Sequence, residues 1–292
     1  MIQDYLNIAF SNMKKKKFRA FLTLLGILIS IATIFVLISL SLGLEKTIQD
    51  QFETLGTDKF FVQPRGQFGP PGTATAAELT EDDASALEKV SGVKETGYYT
   101  VGNAKIRYRN TQKFVSTIGI DPEDFNVVFG SYEIEEGRFL KSTSGFEVVL
   151  GSQYKHNDCL GQPVELGKTV EIQDLDFRVV GFMDEIGSAP DDRIAYIPID
   201  TLREVFEIPK RVDFIVVQVD DANEMNEVSE LAEKRLLRFR DIDEDTKDFT
   251  ILTPEELLES LGSVLNIVTI FLSGIAAISL LVGGINIATA MF

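Results

Sequence analysis

The sequence predicts a membrane α-helical plus α+β protein: two long transmembrane helices flanking a two-lobed extracytoplasmic α+β domain. Three observations predict it. A run of 25 uncharged residues, Ala20 to Leu44, follows a basic cluster near the N-terminus. A second uncharged run of 33 residues, Ser260 to Phe292, ends the sequence. Between them lie some two hundred residues of alternating strand and helix patterns, rich in acids.

The first 19 residues are read as a cytoplasmic amphipathic segment, with Ile2, Tyr5, Leu6, Ala9 and Met13 on one helical face. Lys14, Lys15, Lys16, Lys17 and Arg19 then stand on one side of the first uncharged run. Crossing the hydrocarbon core takes about 20 apolar residues. A cleaved signal carries an apolar region of only about 7–15. The run is therefore read as an uncleaved span, and its basic flank places the N-terminus in the cytoplasm. The helical pattern continues past Glu45 through Leu44, Ile48, Phe52 and Leu55, until Gly56 offers a stop. Residues 20–56 are thus the first transmembrane helix and a stalk.

Residues 57–252 are expected to form the extracytoplasmic domain. Strand-like runs stand at 59–64, 114–121, 147–151, 169–184, 193–200 and 213–220. Helical patterns stand at Glu78–Val90, Thr201–Glu207 and Asn223–Arg240, the last with Met225, Val228, Leu231, Ala232, Arg235 and Leu236 on one face. The order implies strand–helix–strand units near both ends and a strand-rich inserted lobe at about 114–200. "PRGQFGPPGTATA" (64–76) is a Pro/Gly-rich loop.

Residues 253–292 mirror the first stalk and span. Thr253 can cap, Pro254 suits the first helical position, and Glu256 completes a capping box. A helix from Pro254 to Phe292 would measure about 58 Å, against a hydrocarbon core of about 30 Å. Its excess supplies a second stalk helix, with Leu257, Leu258 and Leu261 facing the first. Small residues recur at four-residue spacing: Gly26 with Ser30, Ser39 with Gly43, Ser279 with Gly283, and Gly284 with Ala288. Such pairs let helices pack closely within lipid.

Charge and chemistry narrow the function. The chain carries 28 Lys and Arg against 45 Asp and Glu, and only Asp4 among the acids precedes Glu45. The part from Glu45 onward therefore holds a formal charge of −21, which argues against nucleic acid as a partner. One cysteine, Cys159, rules out an intrachain disulfide. His156 and Cys159 could give two metal ligands, fewer than a zinc site uses. The acidic run 241–252 has Thr246 and Leu252 where a calcium loop wants Gly and Glu. No G-x-x-x-x-G-K-S/T phosphate loop or G-x-S-x-G elbow occurs. No catalytic residue, metal or cofactor is expected, and the chain is not read as an enzyme.

"IAFSNMKKKKFRAFLTLLGILISIA" (8–32) resembles the opening of the MacB/FtsX-like ABC transporter permeases. "EEGRFL" (135–140), "VVLG" (148–151) and "FRVVGFMDE" (177–185) are similar to that family's external core domain, in the same order. "AAISLLVGGINIATAMF" (276–292) resembles the start of its second span. The resemblance covers nearly the whole chain. It implies the N-terminal part of a permease subunit in a mechanotransmitting export system. Its partners would be an ABC ATPase, a second permease copy in a dimer, the lipid bilayer and an extracytoplasmic protein. It also implies a multi-pass cell-membrane location. Members continue with a cytoplasmic loop and two later spans, which these 292 residues do not reach. A variant of the resemblance is an FtsX-like regulatory membrane protein that activates an extracytoplasmic enzyme.

Overall fold

The computed structural model describes residues 58–66, 77–130 and 132–256, with scattered positions in two helical stretches between 21 and 46 and between 262 and 285. The chain divides into two units, Met1–Asp50 with Glu255–Phe292, and Gln51–Pro254. In the first unit the described positions are helical, and their large apolar side chains, Phe35 and Ile267 among them, are mostly exposed. Among the described residues no helix is long and apolar enough to cross a membrane. The expected spans at 20–44 and 260–292 are described only at interrupted positions, and those positions are helical.

The second unit is built on one long sheet. Its strands are β1 (Lys59–Pro64), β3 (Val93–Tyr108), β4 (Thr111–Ile120), β5 (Ile134–Gly137), β6 (Glu147–Leu150), β7 (Thr169–Ile172), β8 (Leu175–Met183), β9 (Ala195–Pro198), β11 (Phe214–Val219) and β12 (Phe249–Leu252). They pair in the order β12-β1-β11-β3-β4-β9-β6-β8-β5, with β7 against β3 and β8. A separate two-stranded ribbon joins β2 (Leu79–Thr80) to β10 (Arg211–Val212). The helices are α1 (Glu81–Leu87), α2 (Phe125–Phe129), α3 (Asn157–Leu160), α4 (Ile199–Phe206) and α5 (Met225–Arg240).

Alternation along β3 sorts the cores by face. Even-numbered residues belong to one face. There Tyr98 joins a core of Phe60, Val62, Ile215 and Val217 under Leu87 of α1 and Val228 and Leu236 of α5. Farther along the same face, Ala104 and Ile106 join Val148, Leu150, Phe177 and Ile197 under Leu202 of α4. On the opposite face, Tyr99 and Val101 meet Ile118, Ile120, Tyr196 and Val216 beneath Phe129 of α2.

Each helix forms for a local reason. Thr80 and Asp83 make a reciprocal capping box at the start of α1. The Asp83 carboxylate is itself buried and paired at 2.7 Å with Arg240, which also holds Asp248 at 2.7 Å. This ties α1 to the last turn of α5. On α5 the buried stripe is Met225, Val228, Ala232 and Leu236. Leu231 and Arg235, expected on that stripe, lie outside it and are exposed. The run expected as one strand at 169–184 is a hairpin, β7–β8. Gln173 and Asp174 turn it with φ of 49° and 65°, the positive values a two-residue hairpin demands.

Candidate functional site at the junction of the cores

Two features of this fold could carry a mechanical role. The first is where the chain enters and leaves. β1 and β12 pair antiparallel, Phe61 opposite Leu252 and Pro64 opposite Phe249. The start of β1 and the end of β12 therefore lie side by side, at one end of the edge ribbon. Asp58 is fixed there by its carbonyl, which accepts from the Val219 N–H at 2.8 Å. Lys59 is buried and reaches the carbonyl of Asn126 in α2 at 3.4 Å. Burial lowers its ammonium pKa against the opposing pull of Asp58. Thr253 is buried just before the helix that begins at Pro254.

The second feature is a polar network over the middle of β3. Asp213, only 4% exposed, accepts the Val101 N–H at 2.7 Å. Arg211 grips the same carboxylate with two donors at 3.0 Å each and donates to the Val101 carbonyl at 3.2 Å. Its own carbonyl accepts from the Thr100 hydroxyl at 2.6 Å and from Arg203 Nη2 at 3.2 Å. Arg203, on α4 and 8% exposed, pairs through Nη1 with Glu81 at the start of α1. The Tyr98 ring lies 5.8 Å from the Arg203 guanidinium. Burial pushes the Glu81 carboxyl up, but the hydrogen bond and charge of Arg203, with Tyr98 and Lys210, hold it below its usual value. Burial and the Glu81 carboxylate raise the Tyr98 phenol. A cleft of about 480 Å³ opens beside the pair, lined by Glu81, Arg203, Glu204, Glu207 and Lys210 among others.

α4 is seated tightly. A side chain at Gly119 would place its Cβ 2.8 Å from Leu202 Cβ and 3.2 Å from the Ile199 backbone. One at Gly102 would meet the Phe206 ring at 2.8 Å. These two glycines let the helix rest directly on β3 and β4.

The residues singled out from the sequence fall mostly elsewhere. The stalk positions Leu44, Ile48, Phe52, Leu55, Leu257, Leu258 and Leu261 lie outside the described residues, as do Gly26, Ser30, Ser279, Gly283 and Ala288. Gly284 is helical and exposed, and a Cβ there would meet nothing within 4 Å. Cys159 is buried, with its thiol pKa raised by that burial against a hydrogen bond to Tyr154, while His156 is exposed. Among the described residues no three His, Cys, Asp or Glu side chains are placed to hold a metal ion. Asp243 and Thr246, in the acidic run, close a local turn through the Thr246 N–H at 3.0 Å. Sequence reading missed the junction residues Glu81, Tyr98, Arg203, Arg211 and Asp213. One signal was present: Arg203 sits between Leu202 and Phe206 on a short amphipathic helix, where a cation needs a partner.

The family model for the MacB-like periplasmic core domain matches residues 20–235. The chain belongs to that family of ABC transporter permeases. An uncharacterized ABC transporter permease of Methanocaldococcus jannaschii is 34% identical over 293 residues, covering 99% of this chain and 71% of that protein. The macrolide export ATP-binding/permease protein MacB of Marinobacter nauticus is 29% identical over 297 residues, covering 99% of this chain. The chain spans 45% of that MacB relative's length. Among solved structures, the periplasmic region of MacB from Actinobacillus actinomycetemcomitans superposes with a TM-score of 0.59 at 22% identity, covering 74% of this chain and 98% of that one. The extracellular domain of the noncanonic ABC-type transporter YknZ from Gram-positive bacteria gives 0.52 at 20% identity, covering 66% and 98%. The α+β fold of the Gln51–Pro254 unit is thus that of MacB-like periplasmic domains.

Proposed function

We propose that this chain is the permease part of a MacB-type export system, passing ATPase-driven movement of its membrane helices into the extracytoplasmic domain. The observation that carries the reading is the pairing of β1 with β12. Both connections to the flanking helices join neighbouring strands, so a displacement of either helix acts on one edge of the sheet. In this reading residues 1–19 are cytoplasmic, 20–56 and 253–292 are stalks and spans, and 57–252 are extracytoplasmic. The small-residue pairs Gly26/Ser30, Ser279/Gly283 and Gly284/Ala288 let membrane helices pack closely, and a second permease copy completes a dimer. ATP hydrolysis belongs to an ABC ATPase, since these residues carry no phosphate loop.

The MacB relatives are named for macrolide export and for ATP binding, which supports export with ATP as the energy source. Two measurements test the reading together. Full-length protein purified from its native membrane should bring with it an ABC-type ATPase in stoichiometric amount. An impermeant thiol reagent on intact cells should label Asp82→Cys and spare Lys16→Cys. A preparation without the ATPase, or the reverse labelling, contradicts the proposal.

A further inference from the structure

We infer that Glu81 and Arg203 form a releasable latch between the two cores that share a sheet face, with Glu207 as the alternative partner that Arg203 takes when the latch opens. The inference rests on the force-transmission reading above and deepens it, by naming where the domain changes shape.

The two helices belong to different packed bodies. α1 carries Ala84 and Leu87 into the core with Phe60, Val217 and Val228. α4 carries Leu202 into the core with Val148, Phe177 and Ile197. α4 cannot shift on its own strands, because Gly119 and Gly102 bring Leu202, Ile199 and Phe206 into direct contact with β4 and β3. Any change in sheet twist about β3 therefore moves α4 relative to α1. Among the described residues, Glu81–Arg203 is the ion pair that joins the two helices.

The pair is built to exchange. A permanent buried ion pair satisfies all its donors and excludes water. Here the Arg203 Nε is buried without a partner, while the Glu81 side chain is 42% exposed. The cleft beside it gives water and other carboxylates a route to the guanidinium. Glu207 lines the same cleft as Arg203, in the turn that follows the last residue of α4. It caps α4 with φ of 55°, and Lys210 follows with φ of 67°. Two left-handed non-glycine residues within four positions put backbone strain into the turn that carries Glu207. Tyr98 lies against the guanidinium in the latched state. On release Arg203 gives up Glu81 and gains Glu207, so charge pairing is conserved between the two states. Such an exchange leaves the states close in free energy, as a two-state element requires.

Spin labels at Ser85→Cys on α1 and Asp200→Cys on α4, in a Cys159→Ser background of the full chain in nanodiscs, read the latch directly by pulsed distance measurement. The wild-type pair should give one principal distance. Glu81→Ala should add a second, longer population, and Glu207→Ala placed on top should deplete that population. Glu81→Gln, whose amide oxygen still accepts from Arg203, should shift the distribution less than Glu81→Ala, and both variants should keep the wild-type circular dichroism spectrum, which a loss of folding would change. An unchanged single distance in Glu81→Ala overturns the latch. Adding the ATPase and ATP separates the two levels. If Glu81→Ala shifts the distribution but turnover leaves the wild-type distance unmoved, the latch stands and the force-transmission reading fails.

Discussion

Asp124 is a carboxylate whose surroundings alter its chemistry strongly. Burial pushes its carboxyl up to about 6, against the Tyr98 N–H that it accepts at 3.0 Å, and Asp121, Glu95 and Glu123 push in the same direction as burial. An unfolded aspartate titrates near about 3.9. The folded value lies above the unfolded one, so this group's stabilisation is complete below about pH 4 and is lost as pH rises through about 6. Lowering the pH from 7 to 5 should therefore raise the melting temperature of the wild type relative to Asp124→Asn; parallel curves for the two proteins would contradict the assignment. Glu81 works in the opposite sense, since its carboxyl is held below its usual value and its contribution is lost on acidification.

The charges of the junction and of the surface should differ in weight. Removing Asp213 leaves the Arg211 guanidinium and the Val101 N–H without their carboxylate in a buried site, a loss of about 3–5 kcal/mol. Removing Glu171 from its pair with the exposed Arg107 should cost less, because water solvates the guanidinium that is left. Denaturant titration of Asp213→Ala and Glu171→Ala checks the ranking, and equal losses would refute it.

Elements were legible where one period dominated. β1 and β11 were visible as apolar runs in "KFFVQP" and "DFIVVQVD", and α5 as a long helix. The longest strand, β3, was not legible. Its "VKETGYYTVGNAKIRY" contains Gly97 and Gly102, which read as breaks in a strand pattern. Both glycines are there because another element lies against the strand. A Cβ at Gly97 would stand 3.0 Å from Val128 of α2, and one at Gly102 meets Phe206 of α4. The contacts that demand glycine are long-range, so no local pattern announces them. The same holds for the junction, where Glu81 meets Arg203 and Val101 meets Asp213, partners 122 and 112 positions apart in the chain.

That packing gives an element-scale prediction. Gly119→Ala should destabilise by about 1–3 kcal/mol, the range for an overpacked core, because a Cβ and a backbone atom oppose the new methyl. Gly102→Ala should cost less, because the Phe206 ring can rotate aside. Chemical denaturation of both variants tests this, and a larger loss at Gly102 than at Gly119 would contradict the seating of α4.

At the scale of the whole molecule, the family was legible in the short motifs at 8–32, 135–140, 148–151, 177–185 and 276–292, and the match over residues 20–235 agrees with it. The central claim is that the flanking helices move the domain through the adjacent strands β12 and β1 at one edge of the sheet, which requires each helix to be stiff. Proline in a helix interior removes a backbone hydrogen bond and costs about 3 kcal/mol or more. The direct measurement is export by the complete transporter carrying Ile48→Pro or Leu258→Pro, with membrane insertion and ATP hydrolysis measured in parallel. The account predicts normal insertion, largely intact ATP hydrolysis and abolished export in both variants. Export at the wild-type level in either, with insertion confirmed, would contradict it.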